Sequence, residues 1–438
     1  MIPQPFLNTI ATKHHLSKAE LEVLSLAMEG ESIGAIADLL KISEDAVRKR
    51  LSEVYHKFQI VGRGPVKLPQ LQRQLMKQYQ EQLKAQGDLA LNISLGTSYH
   101  LTQPQINNSM DWDGAPDVSV FYGRATELAL LKDWIVNQGC RLVSLLGIGG
   151  VGKTVLGVRL AHQIQEHFES LIWRSLYFAP SLQEFLDQLI KVLSLNKETP
   201  NLNTVDQQIS WLVSYFRSYR CLVIVDGFES ILSRGKLAGT YREGYDNYGK
   251  FLKRIGEEPS KSCVIITSRE KINEISYLQG ETSRVKSLKV EGLGEDARFL
   301  LKEKGLSAEE NWQQLIEDYR GNPLMLKLVA ATIQEVFDGN VKDFLETTFF
   351  THDVTGFVRE LLDQLSELEA KIIVQMANEK EPIILQQLRE NLSGVSSQDV
   401  ISAVASLRQR ALVEKSRDGF TLPPVIRATL GNGYHLPN

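Results

Sequence analysis

Gly147-Ile148-Gly149-Gly150-Val151-Gly152-Lys153-Thr154 is the stretch on which the reading of this chain turns. It has the form Gly-x4-Gly-Lys-Thr. The apolar run Leu142-Val143-Ser144-Leu145-Leu146 leads into it, and a helical pattern from Val155 to Ala161 follows. Strand, loop and helix in that order give the motif its chemistry. Glycines let backbone N–H groups turn inward and cradle phosphate oxygens, and the start of the helix adds positive potential. Lys153 would reach the β- and γ-phosphates, and the Thr154 hydroxyl would ligate Mg²⁺. All eight residues, with Val155, are therefore expected to hold a nucleoside triphosphate.

Outward from the loop, two further apolar runs end in functional groups. Leu222-Val223-Ile224-Val225 runs into Asp226, and a carboxylate at the end of a buried strand is placed to hold Mg²⁺ through water. Glu229, three residues on, would orient or deprotonate an attacking water, or else be a solvated loop carboxylate. Val264-Ile265-Ile266-Thr267 ends in Ser268-Arg269. That arginine would face the γ-phosphate, or else form a surface ion pair. Lys153, Asp226, Glu229 and Arg269 are thus the candidate catalytic groups, with Thr154 and Asp226 on the metal.

The 438 residues suffice for two to four domains, each with its own core. A net charge of −4 excludes a chain that binds nucleic acid as a bulk polycation. No apolar run reaches the length of a membrane span, and Met1-Ile-Pro-Gln-Pro lacks the features of a signal peptide. A cytoplasmic location with no membrane partner is expected. Cys140, Cys221 and Cys263 lie at or inside apolar runs and read as buried, reduced thiols. The histidines show no ligand spacing, so no metal is expected beyond nucleotide-bound Mg²⁺.

The expected fold class is multidomain, α and α/β. Residues 1–65 read as a helix-turn-helix. Ser17 caps a helix with Leu21, Leu24 and Ala27 on one face, and Ile33, Ile36, Ala37 and Leu40 mark a second. Ser43 caps a third, in which Val47, Leu51, Val54 and Phe58 recur at helical spacing. Residues 66–117 read as a polar helix, then a linker from 91. Residues 118–290 read as a phosphate-loop domain, a parallel sheet with helices on both faces. Residues 291–350 read as a helical domain. Residues 351–438 read as a winged helix, with three helical patterns before a hairpin at Leu412–Lys415 and Gly419–Leu422.

Together these residues resemble the NB-ARC family, within the STAND class of signalling NTPases. Phe121-Tyr122-Gly123-Arg124 with Glu127 matches that family's opening motif, and Gly321-Asn322-Pro323-Leu324 its Gly-x-Pro-Leu motif. The resemblance covers about 118–430. It implies adenine nucleotides, ATP and ADP, with the backbone at Tyr122, Gly123 and Arg124 and the ring of Pro323 near the base. Two departures are visible. Asp226-Gly227-Phe228-Glu229 displaces the spare carboxylate that many members carry beside the acidic strand. Leu422-Pro423-Pro424-Val425 stands where the family has a His-Asp pair contacting the ADP β-phosphate.

Residues 16–60 resemble a LuxR-type helix-turn-helix. The resemblance puts the third helix in a DNA major groove, with Arg48, Lys49 and Arg50 contacting phosphates or bases. Residues 1–70 carry a charge of only +1 and Glu44 and Asp45 open that helix, so an adaptor or oligomerisation role stands beside DNA binding. The expected function is an ATP/ADP switch with slow hydrolysis, self-association in the ATP state and an N-terminal output to DNA or protein. The alternatives are a nucleotide-regulated transcription regulator and a turnover ATPase. Family members continue into a propeller or helical-repeat sensor. Too few residues follow Leu430 for one, so a sensor is expected on a partner or to have been lost.

Overall fold

The computed structural model of the chain describes residues 10–60 apart from 12, 15, 29–32 and 59, then Leu71 and Leu75, and then 109–431 apart from 195–201, 349–350, 380 and 393. The chain divides into two compact units, 1–104 and 105–438. The division falls inside the stretch read as a linker.

In the first unit, α1 (Lys18–Met28), α2 (Ile33–Leu40) and α3 (Glu44–Lys57) form the expected three helices. Ser17 and Glu20 exchange a capping box, and the Ser43 hydroxyl accepts from Ala46 N. Val23, Leu24, Ala27, Ile36, Ala37, Val47, Leu51 and Val54 are buried. Of the polar helix expected over 66–90, only Leu71 and Leu75 are described. Both are helical and pack with Leu24, Val54 and Phe58.

The second unit is built on a six-stranded, wholly parallel sheet. Its strands are β1 (Ser109–Asp111), β2 (Leu142–Leu146), β3 (Ser170–Ser175), β4 (Cys221–Asp226), β5 (Cys263–Ser268) and β6 (Val285–Lys289), in spatial order β1-β3-β4-β5-β2-β6. The apolar runs are continuous because both faces are covered, as parallel sheets require. Leu142, Ile172, Val223, Val225, Val264 and Ile266 face one side, against α6 (Leu182–Leu193), α7 (Val205–Ser218) and α8 (Asn247–Glu257). Val143, Leu145, Leu171, Trp173, Leu222, Ile224 and Ile265 face the other, against α4 (Ala125–Lys132) and α5 (Lys153–Ile164). The three cysteines are free and buried.

Strand β1 corrects the linker reading of 91–117. Ser109, Met110 and Asp111 pair in register with Ser170, Leu171 and Ile172. Arg174 Nη2 holds Asp111 Oδ2 at 2.6 Å, and Trp112 stacks on His162. Three residues without an apolar run carry no strand signal, so tertiary pairing decides here. Residues 91–108 lie outside the described residues.

Beyond the sheet come α9 (Asn273–Leu278), α10 (Ala297–Glu303), α11 (Trp312–Asp318), α12 (Pro323–Phe337) and α13 (Val341–Thr347). Then follow α14 (His352–Leu362), α15 (Glu367–Asn378), α16 (Leu385–Asn391) and α17 (Ser397–Gln409), the antiparallel hairpin β7 (Glu414–Lys415) and β8 (Phe420–Thr421), and α18 (Pro424–Gly431). Four helices precede the hairpin over 351–409, where three patterns were expected. Buried residues from Ala297 through Leu430 belong to one apolar core, so the helical and C-terminal regions are packed as one body.

Candidate functional site

The ends of β2, β4 and β5 converge on the glycine loop, beyond the carboxyl edge of the sheet, where ligands of such sheets bind. The loop conformation requires glycine. Gly150 has φ +75°, and a Cβ there would meet Leu324 Cβ at 2.5 Å. At Gly147 a Cβ would meet the Val290 carbonyl oxygen at 2.5 Å. The loop ends at Gly152, and Lys153 opens α5, so the helix N-terminus faces the cavity.

That cavity measures about 1140 Å³ and takes in Gly149, Gly150, Gly152, Lys153, Thr154 and Val155. Lys153 Nζ donates to the carbonyls of Gly147 (2.7 Å) and Ile148 (3.1 Å). Burial depresses its ammonium to about 8, opposed by Glu229 and Asp226 and reinforced by Arg269. Asp226 Oδ1 accepts from Thr154 Oγ1 at 2.8 Å and from Thr267 Oγ1 at 2.7 Å. Burial raises the Asp226 carboxyl, and the two threonine hydroxyls oppose that. The Thr154 hydroxyl and the Asp226 carboxylate are hard oxygen donors on adjoining elements, a set that suits Mg²⁺.

Across the cavity, Arg269 Nε pairs with Glu229 Oε1 at 3.0 Å. The other Glu229 oxygen is buried without a hydrogen-bond partner. The candidate γ-phosphate reporter and the candidate water-orienting carboxylate therefore face each other, beside Lys153 and Asp226, and all four line the same cavity. Their ion pair is inside the site rather than on the outer surface.

Tyr122, Arg124 and Pro323 are not among the residues lining this cavity. Tyr122 packs against the helical core. Arg124 adopts φ +66° as the cap of α4, and the residue is 7 % exposed. It donates to Val151 O at 3.1 Å and to Glu291 O, and pairs with Glu127 at 2.8 Å. It braces the glycine loop against the exit of β6. Ile148 and Val151 line a smaller cavity of about 130 Å³ with Val290, Met325, Pro423 and Val425. Pro423, one of the two prolines standing where the resemblance leads one to expect a His-Asp pair, lines this cavity, whose wall also carries Lys289, Glu291, Arg320 and Glu414.

Sequence reasoning missed Asn322. Its Oδ1 accepts from Leu324 N (3.1 Å) and Met325 N (3.3 Å), which caps α12, while its Nδ2 donates to Gly149 O at 2.9 Å. Leu324 N also donates to Gly150 O at 3.3 Å. The helical region is therefore hydrogen-bonded directly to the glycine loop. An Asn before Pro signals a cap in sequence; its second bond spans 173 residues and leaves no local trace.

In the N-terminal unit, Arg48 is held by carboxylates of its own helix, Glu44 at 2.6 Å and Asp45 at 3.1 Å. Lys49 is exposed and Arg50 half-buried.

Residues 124–233 match the NB-ARC domain, and residues 14–64 match the luxR family of bacterial regulatory proteins. The chain carries an NB-ARC domain. Ahead of it lies a LuxR-type helix-turn-helix. An uncharacterized WD repeat-containing protein of Nostoc is 41 % identical over 338 residues, or 74 % of this chain. The chain spans about a quarter (27 %) of that relative's length. Among solved structures, a STAND protein with a tetratricopeptide-repeat sensor from Pyrococcus horikoshii is 22 % identical, with TM-score 0.38, over 73 % of this chain and 44 % of that one. A Walker-type ATPase of Pyrococcus abyssi is 15 % identical, with TM-score 0.49, over 71 % and 96 %. The NB-ARC match takes in the glycine loop and Asp226. No helix among the described residues is long and apolar enough to cross a membrane.

Proposed function

We propose that this chain is an adenine-nucleotide switch. ADP favours the form in which the helical and C-terminal regions are docked on the NB-ARC domain. ATP, with Mg²⁺ at Thr154 and Asp226, favours a second, self-associating form. A nucleotide shifts such a balance only through its different affinity for the two forms. The observation that carries this reading is the shared wall of the cavity. Lys153, Asp226 and Arg269 line it together with Leu324 and Gln364 from the helical regions. A ligand in that cavity touches both sides of the joint.

Hydrolysis is expected to be slow, with Glu229 orienting water once a γ-phosphate draws Arg269 away. The luxR match favours DNA as the partner of the first unit, through Lys49 and Arg50, and through Arg48 once freed from Glu44 and Asp45. The deciding experiment measures ATP and ADP affinity for the full chain and for Lys153→Ala, with sedimentation in each nucleotide. The reading expects binding lost in the variant and larger assemblies with ATP. Equal binding by both proteins refutes it.

A further inference from the structure

Arg410, at the end of α17, is 7 % exposed and makes three bonds to three different segments. Nε reaches Glu369 Oε1 of α15 at 3.2 Å, Nη1 reaches Glu270 Oε1 at 3.3 Å, and Nη2 donates to Lys236 O at 2.7 Å. Glu270 is 4 % exposed and Glu369 fully buried. The second Glu369 oxygen accepts from Ser366 N and Oγ at 2.8 Å, the cap of its own helix, while the other bonds come from the joint. Gly239 N donates to Glu270 Oε2 at 3.0 Å, and Ser406 Oγ donates to Glu369 Oε1 at 2.5 Å. Ser406 Oγ in turn accepts from Ala238 N at 2.6 Å. One guanidinium thus holds two buried carboxylates, and with them the loop after β4.

The position of Glu270 gives the cluster its reach. Three of the four residues from Thr267 to Glu270, at and just past the end of β5, reach three different partners. Thr267 donates to Asp226, Arg269 pairs with Glu229, and Glu270 meets Arg410. The backbone that aims Arg269 into the cavity is therefore the backbone that anchors the C-terminal helices.

We propose that Glu270 and Arg410 are positioning residues that couple the docking of the C-terminal helices to the setting of Arg269, and that this buried cluster is the lock of the docked form. The inference rests on the switch reading above. It answers what replaces the family's His-Asp contact, since Leu422–Val425 offers no side chain to a phosphate. The physics suits a lock that must release. A desolvated ion cluster gains little net energy while closed, yet removing one member strands the others in a dry interior. Opening the joint parts Glu270 from Arg410 and lets water reach both. A γ-phosphate pulling Arg269 from Glu229 shifts the residue next to Glu270 and so strains the cluster.

The test uses the full chain with Arg410→Met, Arg410→Lys and Glu270→Gln, and reads ATP and ADP dissociation constants by competition with a fluorescent nucleotide. Arg410→Met and Glu270→Gln should shift the ATP-to-ADP preference toward ATP by about tenfold, an ordinary coupling factor, with Arg410→Lys between them and the parent. A purely structural role would weaken both nucleotides alike. Should Arg410→Met fail to fold, Ala238→Cys with Ser406→Cys supplies a second measurement, because those residues touch and a disulfide would staple the joint. Oxidation should favour ADP, and reduction should reverse it. A preference within about twofold of the parent in the folded variants, or one indifferent to the staple, overturns the lock while leaving the switch standing. A parent protein that binds neither nucleotide overturns both.

Discussion

Replacing Asn322 by alanine tests the joint between the glycine loop and the helical region. The substitution removes the acceptor for Leu324 N and Met325 N and the donor to Gly149 O. Loss of an Asn cap costs about 1 kcal/mol. A buried carbonyl left without a donor costs about 1–3 kcal/mol more. The expected destabilisation is therefore about 2–4 kcal/mol. Guanidinium unfolding followed by tryptophan fluorescence reads it cleanly, because Trp112, Trp134, Trp173, Trp211 and Trp312 are the chain's five tryptophans and all lie in the second unit. Asn322→Asp separates the two contributions. It keeps the cap acceptor but turns a carboxylate oxygen toward the Gly149 carbonyl, beside the proposed phosphate position. At 3 % exposure, the unpaired carboxylate should lose at least as much stability as alanine despite keeping the cap, and more ADP affinity. An Asn322→Ala protein that unfolds within about 0.5 kcal/mol of the parent, with unchanged ADP affinity, would refute the reasoning.

Gly150→Ala combines φ +75° with a Cβ placed 2.5 Å from Leu324 Cβ, so nucleotide affinity should fall at least about tenfold in equilibrium titration. Burial lowers Lys153 from 10.5 to about 8, so between those values the unfolded chain holds more protons and this group's contribution to stability rises with pH. Bound phosphate restores the ammonium, so binding near about pH 8–9 should take up protons, a signal that calorimetry in buffers of different ionisation enthalpy detects and Lys153→Met removes. Glu44→Gln with Asp45→Asn frees Arg48 and should tighten duplex binding, with the salt slope steeper by about one, as read by fluorescence anisotropy. An unchanged slope would remove Arg48 from the DNA contacts.

The parts of the site legible in sequence were those written in consecutive residues. Gly147–Thr154, the strand running into Asp226 and the strand running into Arg269 each combine an apolar run with a polar terminus. Four of the six strands follow from apolar runs, the fourth being Leu171-Ile172-Trp173. Strands β1 and β6 do not, because Ser109–Asp111 and Val285–Lys289 are edge segments with one side less buried, and their pairing comes from the neighbours. The contacts that join regions were invisible for another reason. Arg410 to Glu270, Asn322 to Gly149 and Arg124 to Glu291 pair residues 140, 173 and 167 positions apart, with no periodicity to betray them. The resemblance placed Tyr122, Arg124 and Pro323 by their motifs, yet what Arg124 does here follows from its burial and its two carbonyl partners.

Strand β1 has a protective consequence. A fragment begun at 118, or at the NB-ARC match at 124, would strip Ser109–Asp111 from β3. The row Ser170-Leu171-Ile172 would then form an open sheet margin, and Arg174 would lose its carboxylate. Unpaired apolar strands template association with other copies. Three unremarkable residues thus cover that margin of the sheet, and fragments for expression should begin ahead of Ser109.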